Sequence, residues 1–102
     1  MAPALTTTLQ SYANLAQLLE EKWADPDVYI LLYQREELAD HFDELTLAER
    51  EILLQADAVL ASKWQIVSDF VPLPMYRDRK RWWWFLNEGP QVREQAQELA
   101  HA

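Results

Sequence analysis

Glycine occurs once in the 102 residues, at Gly89. Tight β-hairpins rely on residues that tolerate positive φ, glycine foremost. A chain with one glycine has little means of turning strand after strand. Leu, Ala, Glu and Gln are abundant instead, and all four favour helix. The expectation is therefore an all-α fold: a small antiparallel helical bundle of three main helices, a fourth aromatic-rich helix and a short C-terminal helix. The length suits a single domain over 1–102, with 1–7 and 100–102 frayed.

Hydrophobic spacing places the helices. Leu9, Tyr12, Ala16, Leu19 and Trp23 recur at three- and four-residue steps, which predicts a first helix over about 8–24. Leu15 and Leu18 widen its face, and Thr6, Thr7 and Thr8 are candidate N-caps. Asp25-Pro26-Asp27 predicts the start of a second helix, with a capping residue followed by a proline suited to the first turn. Val28, Leu31, Leu32, Leu38, Phe42 and Leu45 form its stripe, while Tyr29, Ile30 and Tyr33 add apolar area on other sides. A helix apolar nearly all round is either central or meets a partner. The alternative of a strand over 28–33 is opposed by the cap and by the helical spacing that follows.

Thr46-Leu47-Ala48-Glu49 has the Thr and Glu of a capping box, three apart at a helix start. Leu53, Ala56, Val59, Leu60, Trp64, Val67 and Phe70 then predict one helix of about seven turns. Pro72 and Pro74 stop it and favour an extended Val71–Pro74. A fourth helix is expected from about 74 or 75 to Asn87, closed by Gly89 in a left-handed conformation. Gln91–Ala100 reads as a marginal helix with Val92, Ala96 and Leu99 as its stripe. The core candidates are Leu19, Trp23, Leu31, Leu38, Phe42, Leu53, Val59, Leu60, Trp64 and Val67.

Leu45-Thr46-Leu47-Ala48-Glu49-Arg50-Glu51-Ile52-Leu53 resembles the opening of the LuxR-type helix-turn-helix domain, which often begins Leu-Thr-x-x-Glu-Arg-Glu-Val-Leu. The resemblance covers nine residues. No glycine-containing turn follows, nor a second helix rich in polar and basic residues. The resemblance therefore carries no residue role onto this chain.

Charge is uneven. The net is −8, yet residues 1–70 hold four Lys or Arg against thirteen Asp or Glu, a net of −9. Residues 71–89 carry +2. The cations there, Arg77, Arg79, Lys80 and Arg81, run straight into Trp82, Trp83, Trp84 and Phe85. On one continuous α-helix, neighbours stand about 100° apart, so three adjacent indoles cannot all face one core. At least one is expected at the rim, unless arginine stacks over it.

The function expected is that of a non-enzymatic adaptor or regulator binding another protein and, as a homodimer, itself. Arg and Trp dominate interface hot spots. The candidate contacts are Arg77, Arg79, Lys80, Arg81, Trp83 and Trp84, with Tyr29 and Tyr33 as a second surface. The alternative is nucleic-acid binding through Arg77–Trp84, against which the acidic body and the small number of cations count.

No catalytic motif is found. With one glycine there is no phosphate-binding loop, and with no cysteine there is no thiolate chemistry. Glu37, His41 and Glu44 would share a helical face at i, i+4 and i+7. Beside so many carboxylates they read as a solvated acidic face. No metal or cofactor is expected. The apolar runs are too short to span a bilayer and no signal peptide is evident, so the expected location is cytoplasmic.

Overall fold

A computed structural model describes residues 2–19, 25–70 and 79–101. Every regular element among them is helical and none is a strand. The fold class is all-α, as the single glycine implies. The elements are α1 (Ala2–Leu18), α2 (Asp25–Asp40), a 3-10 turn (Phe42–Glu44), α3 (Leu47–Ser62) and α4 (Trp64–Phe70). Two further 3-10 turns (Trp82–Trp84 and Leu86–Glu88) and α5 (Val92–His101) complete them. The chain forms two compact units, residues 1–60 and 61–102, and α3 runs across their boundary.

In the first unit α1 packs against α2. The first helix begins at Ala2, ahead of the expected Thr8, because Leu5 extends the stripe one turn back from Leu9. Pro3 suits that first turn, where its missing N–H has no helical partner to lose. Thr6, Thr7 and Thr8 are therefore helical residues and not caps. Leu5, Leu9, Tyr12, Ala16 and Leu19 are buried, whereas Leu18, expected to widen the face, is exposed. Trp23 lies outside the described residues.

Helix α2 buries Val28, Leu31, Leu32 and Leu38, and the 28–33 stretch is helical. Phe42 corrects the expectation of a core residue. The helix stops at Asp40, and Phe42 starts a 3-10 turn with no buried residue. Its ring is exposed but covered, with the Arg50 guanidinium carbon 4.6 Å from the centroid. Arg50 Nη2 also donates to the carbonyls of Phe42 (3.3 Å) and Asp43 (3.5 Å).

The capping box forms in full. Thr46 N–H donates to Glu49 Oε1 (2.8 Å), and Glu49 N–H donates to Thr46 Oγ1 (3.1 Å). Each bond satisfies a helix-start donor that would otherwise lack a partner. Thr6 Oγ1 donates to the other carboxylate oxygen of Glu49 (3.0 Å), which ties α1 to the start of α3. These bonds, led by that from the Thr46 N–H, hold the Glu49 carboxyl below its ordinary range.

The buried Leu53 and Leu60 lie on α3 as predicted, but Val59 is only half-buried. The single seven-turn helix is not found. It breaks at Lys63, whose carbonyl accepts from Ile66 N–H (3.0 Å) and Val67 N–H (3.4 Å) to start α4. No proline or glycine marks the break, which is why spacing alone missed it. Restarting the helix shifts its phase. Val67 is buried, whereas Trp64, expected in the core, is only half-buried.

The interior of the first unit also holds a charge pair. Arg35 and Asp57 are both buried. Arg35 Nε donates to Asp57 Oδ1 (2.9 Å) and Nη2 to Oδ2 (3.1 Å), and the Tyr12 hydroxyl donates to Oδ1 (2.6 Å). The carboxylate thus joins α1, α2 and α3. Burying an ion is costly, and paired, bidentate geometry offsets that cost. Gln34 Nε2 adds a bond to Ser11 Oγ (2.8 Å) between α1 and α2.

Candidate functional site

The arginine–tryptophan run belongs to the second unit. Arg77 and the expected extended Val71–Pro74 lie outside the described residues. From Arg79 onward the fourth α-helix is replaced by turns. Arg81 (φ −88°, ψ 61°) and Phe85 (φ −115°, ψ 18°) leave helical geometry on either side of Trp82–Trp84. Each departure re-aims the rings that follow it. Trp82, Trp83 and Trp84 therefore do not lie on one unbroken α-helix, and the 100° spacing does not govern them.

The consequence is that all three indoles are buried. Trp82 is 5%, Trp83 2% and Trp84 1% exposed, and Phe85 and Leu86 are buried beside them. This corrects the expectation of an indole at the rim. Trp82 and Trp83 meet edge to face, with centroids 5.6 Å apart and planes at 84°. The turn Trp82–Trp84 packs on α5, and Leu86–Glu88 packs on α4. Val92 and Ala96 are the buried residues of the α5 stripe; the Leu99 side chain lies outside the described set.

The cations close over these rings. Arg79 donates from Nη1 to Glu88 Oε2 (3.1 Å) and from Nη2 to Glu88 Oε1 (2.5 Å). Its guanidinium carbon lies 4.7 Å from the Phe85 centroid. Arg81 sits 5.9 Å from the Trp83 centroid. The hydrogen bonds from Arg79 hold the Glu88 carboxyl below its ordinary range. Lys80 is exposed. The turn ends at Gly89, whose φ of +112° and ψ of 171° lie in the extended positive-φ region rather than the left-handed helical one expected. A Cβ there would collide with the Gln91 side-chain amide.

The second expected surface lies on α2. Tyr33 is 47% exposed and Tyr29 partly so. Ile30, expected only to add apolar area, is 50% exposed. Glu37 and Asp40 are exposed on the same side. Positions 30, 33, 37 and 40 are spaced i, i+3, i+7 and i+10. They form one straight row about 15 Å long at 1.5 Å per residue. Val28, Leu31, Arg35 and Leu38 are buried on the opposite side. The signal for Ile30 was present in the sequence as the surplus of apolar residues around the first turns of α2.

Glu37, His41 and Glu44 do not share a helix, because α2 ends at Asp40. His41 Nδ1 lies 2.5 Å from Glu44 Oε2. Among the described residues, no group of three or more His, Asp or Glu side chains is placed to hold a metal ion. Nor is any helix among them long and apolar enough to cross a membrane. No family model, curated protein or solved structure matches the chain.

Proposed function

We propose that this protein is a non-enzymatic adaptor or regulator that works by binding another protein through the outer face of α2. Ile30 and Tyr33 are the central contacts, and Tyr29 flanks them. The observation that supports this reading is a pair of large apolar side chains, each about half-exposed, one turn apart on a helix whose other side is core. Tyrosine at a solvent-facing position offers rigid apolar area with a polar tip, which suits an interface anchor.

The arginine–tryptophan run takes a supporting part in this reading. Its indoles have little surface left for a partner, and Arg79 is committed to Glu88 and Phe85. Arg81 lies over Trp83, and Lys80 is exposed at the surface of the second unit. For nucleic acid, stacking on bases needs an open ring face, and Trp82, Trp83 and Trp84 are buried.

A photocrosslinking residue at position 33, expressed in the native host, tests the reading. A control crosslinker replaces the exposed Ala58 on α3. The expected result is a discrete adduct from position 33, absent from position 58, that re-forms between purified components. It should also disappear with Ile30→Ser. No adduct, or the same adducts from both positions, would count against the α2 surface.

A further inference from the structure

The row on α2 is apolar at one end and acidic at the other. Ile30 and Tyr33 occupy its first turn, and Glu37 and Asp40 follow one and two turns later. The surrounding unit is itself strongly acidic. Residues 1–60 hold three Lys or Arg against twelve Asp or Glu, a net of −9. Two of the three cations are described, and both are engaged elsewhere. Arg35 is buried against Asp57, and Arg50 lies over Phe42 and bonds to backbone carbonyls. Glu37 has no ion-pair partner among the described residues.

From this we infer that the occupant of the α2 face is a cationic amphipathic helix of a partner protein. Its apolar residues would seat on Ile30 and Tyr33, and its Lys or Arg side chains, one to two turns along, would meet Glu37 and Asp40. The inference rests on the proposed α2 interface and specifies the chemistry of its partner. A straight row at helical spacing matches the side-chain rows of a facing helix. Opposite charges along it fix the register and speed the encounter. The same charges argue against a second copy docking through this face. An antiparallel pair of α2 helices overlapping along the whole row would set carboxylates against Ile30 and Tyr33, and a parallel pair would set carboxylate against carboxylate.

The experiment is a fluorescence-anisotropy titration of the full chain with three labelled peptides of about five helical turns, roughly 18 residues. One is a Leu/Lys amphipathic helix, one has the same composition in scrambled order, and one is its Leu/Glu counterpart. The Leu/Lys helix should bind at least about tenfold more tightly than the scrambled peptide, and the Leu/Glu helix should not bind. Tyr33→Ser and the charge reversal Glu37→Lys with Asp40→Lys should each weaken binding about tenfold. Glu51→Lys, an equal reversal at an exposed position of α3, should not. All these positions are solvent-facing, and circular dichroism confirms the fold of each variant.

Equal affinity for ordered and scrambled peptides, or equal weakening by Glu51→Lys, would reduce the effect to general attraction and overturn the inference. So would no binding at all. Concentration-dependent self-association of the free protein that Tyr33→Ser abolishes would make a second copy the occupant, and would overturn it too. A specific adduct from position 33 together with a failed peptide titration would leave the α2 interface standing and remove only the cationic-helix partner.

Discussion

Residues 1–60 bring an arginine and an aspartate into their interior, while residues 61–102 bring in three tryptophans and leave their arginine–glutamate pair at the surface. In the first unit the helices are long enough to present regular stripes, and the Asp57 carboxylate joins three of them. Such a pair contributes little net stability against an apolar replacement, yet losing one partner leaves a buried charge. In the second unit the elements are short, and large rings supply buried area that short helices cannot. Arg79 there shields a ring and clips a turn, with solvent still around it. The two units should therefore respond differently to the same class of substitution.

The largest effects should come from the two interiors. Trp84→Ala removes a nearly fully buried indole and should lower stability by about 3–5 kcal/mol in urea denaturation. Asp57→Ala should cost a similar amount, about 3–5 kcal/mol, because Arg35 keeps its charge without a counterion. The decisive contrast is Arg35→Met with Asp57→Leu and Tyr12→Phe, the last removing the hydroxyl that would otherwise lose its acceptor, which should recover most of that loss. If the triple variant is as unstable as Asp57→Ala, the pair is not what makes the first unit sensitive.

Gly89→Ala should cost about 1–3 kcal/mol, since only glycine adopts this extended positive-φ conformation readily. The reverse change at the exposed Ala58, Ala58→Gly within α3, should cost no more than about 1 kcal/mol.

The smallest effect should be at the exposed clip. Glu88→Gln should lower stability by at most about 1 kcal/mol, and less in high salt. Glu49 and Glu88 both have carboxyls held below their ordinary range, so each stabilises the fold above that range. Their contribution should fade as the pH drops through the lowered folded-state values. Denaturation midpoints recorded against pH should show this acid limb. Glu49→Gln together with Glu88→Gln should flatten it.

The long helices were legible because their chemistry is local or periodic. Thr46 and Glu49 make the two bonds their spacing predicts, and Leu9, Tyr12, Ala16, Leu31, Leu38, Leu53 and Leu60 are buried where helical steps put them. The ion pair was missed, although its signal existed. Arg35 stands seven residues after Val28 and four after Leu31, and Asp57 four after Leu53, each a charged residue on an apolar stripe. Read as stripe members, they would have suggested a buried partnership.

The tryptophan run was not legible for a different reason. Departures at Arg81 and Phe85 reset the direction of the following rings, and no residue there signals such a reset. The same limit applies to the break at Lys63. Of the expected contact residues, Tyr29 and Tyr33 retain exposed surface, whereas the ring surface expected of Trp83 and Trp84 is buried.

The indoles of the arginine–tryptophan run are part of the interior, and the outer face of α2 is the surface proposed for binding. Side-by-side urea denaturation of Trp83→Ala and of Ile30→Ser with Tyr33→Ser separates the two roles. Trp83→Ala should lose about 3–5 kcal/mol. The α2 pair should change stability by no more than about 0.5 kcal/mol per position. An unchanged midpoint for Trp83→Ala, with unfolding of the α2 double variant, would reverse the two roles.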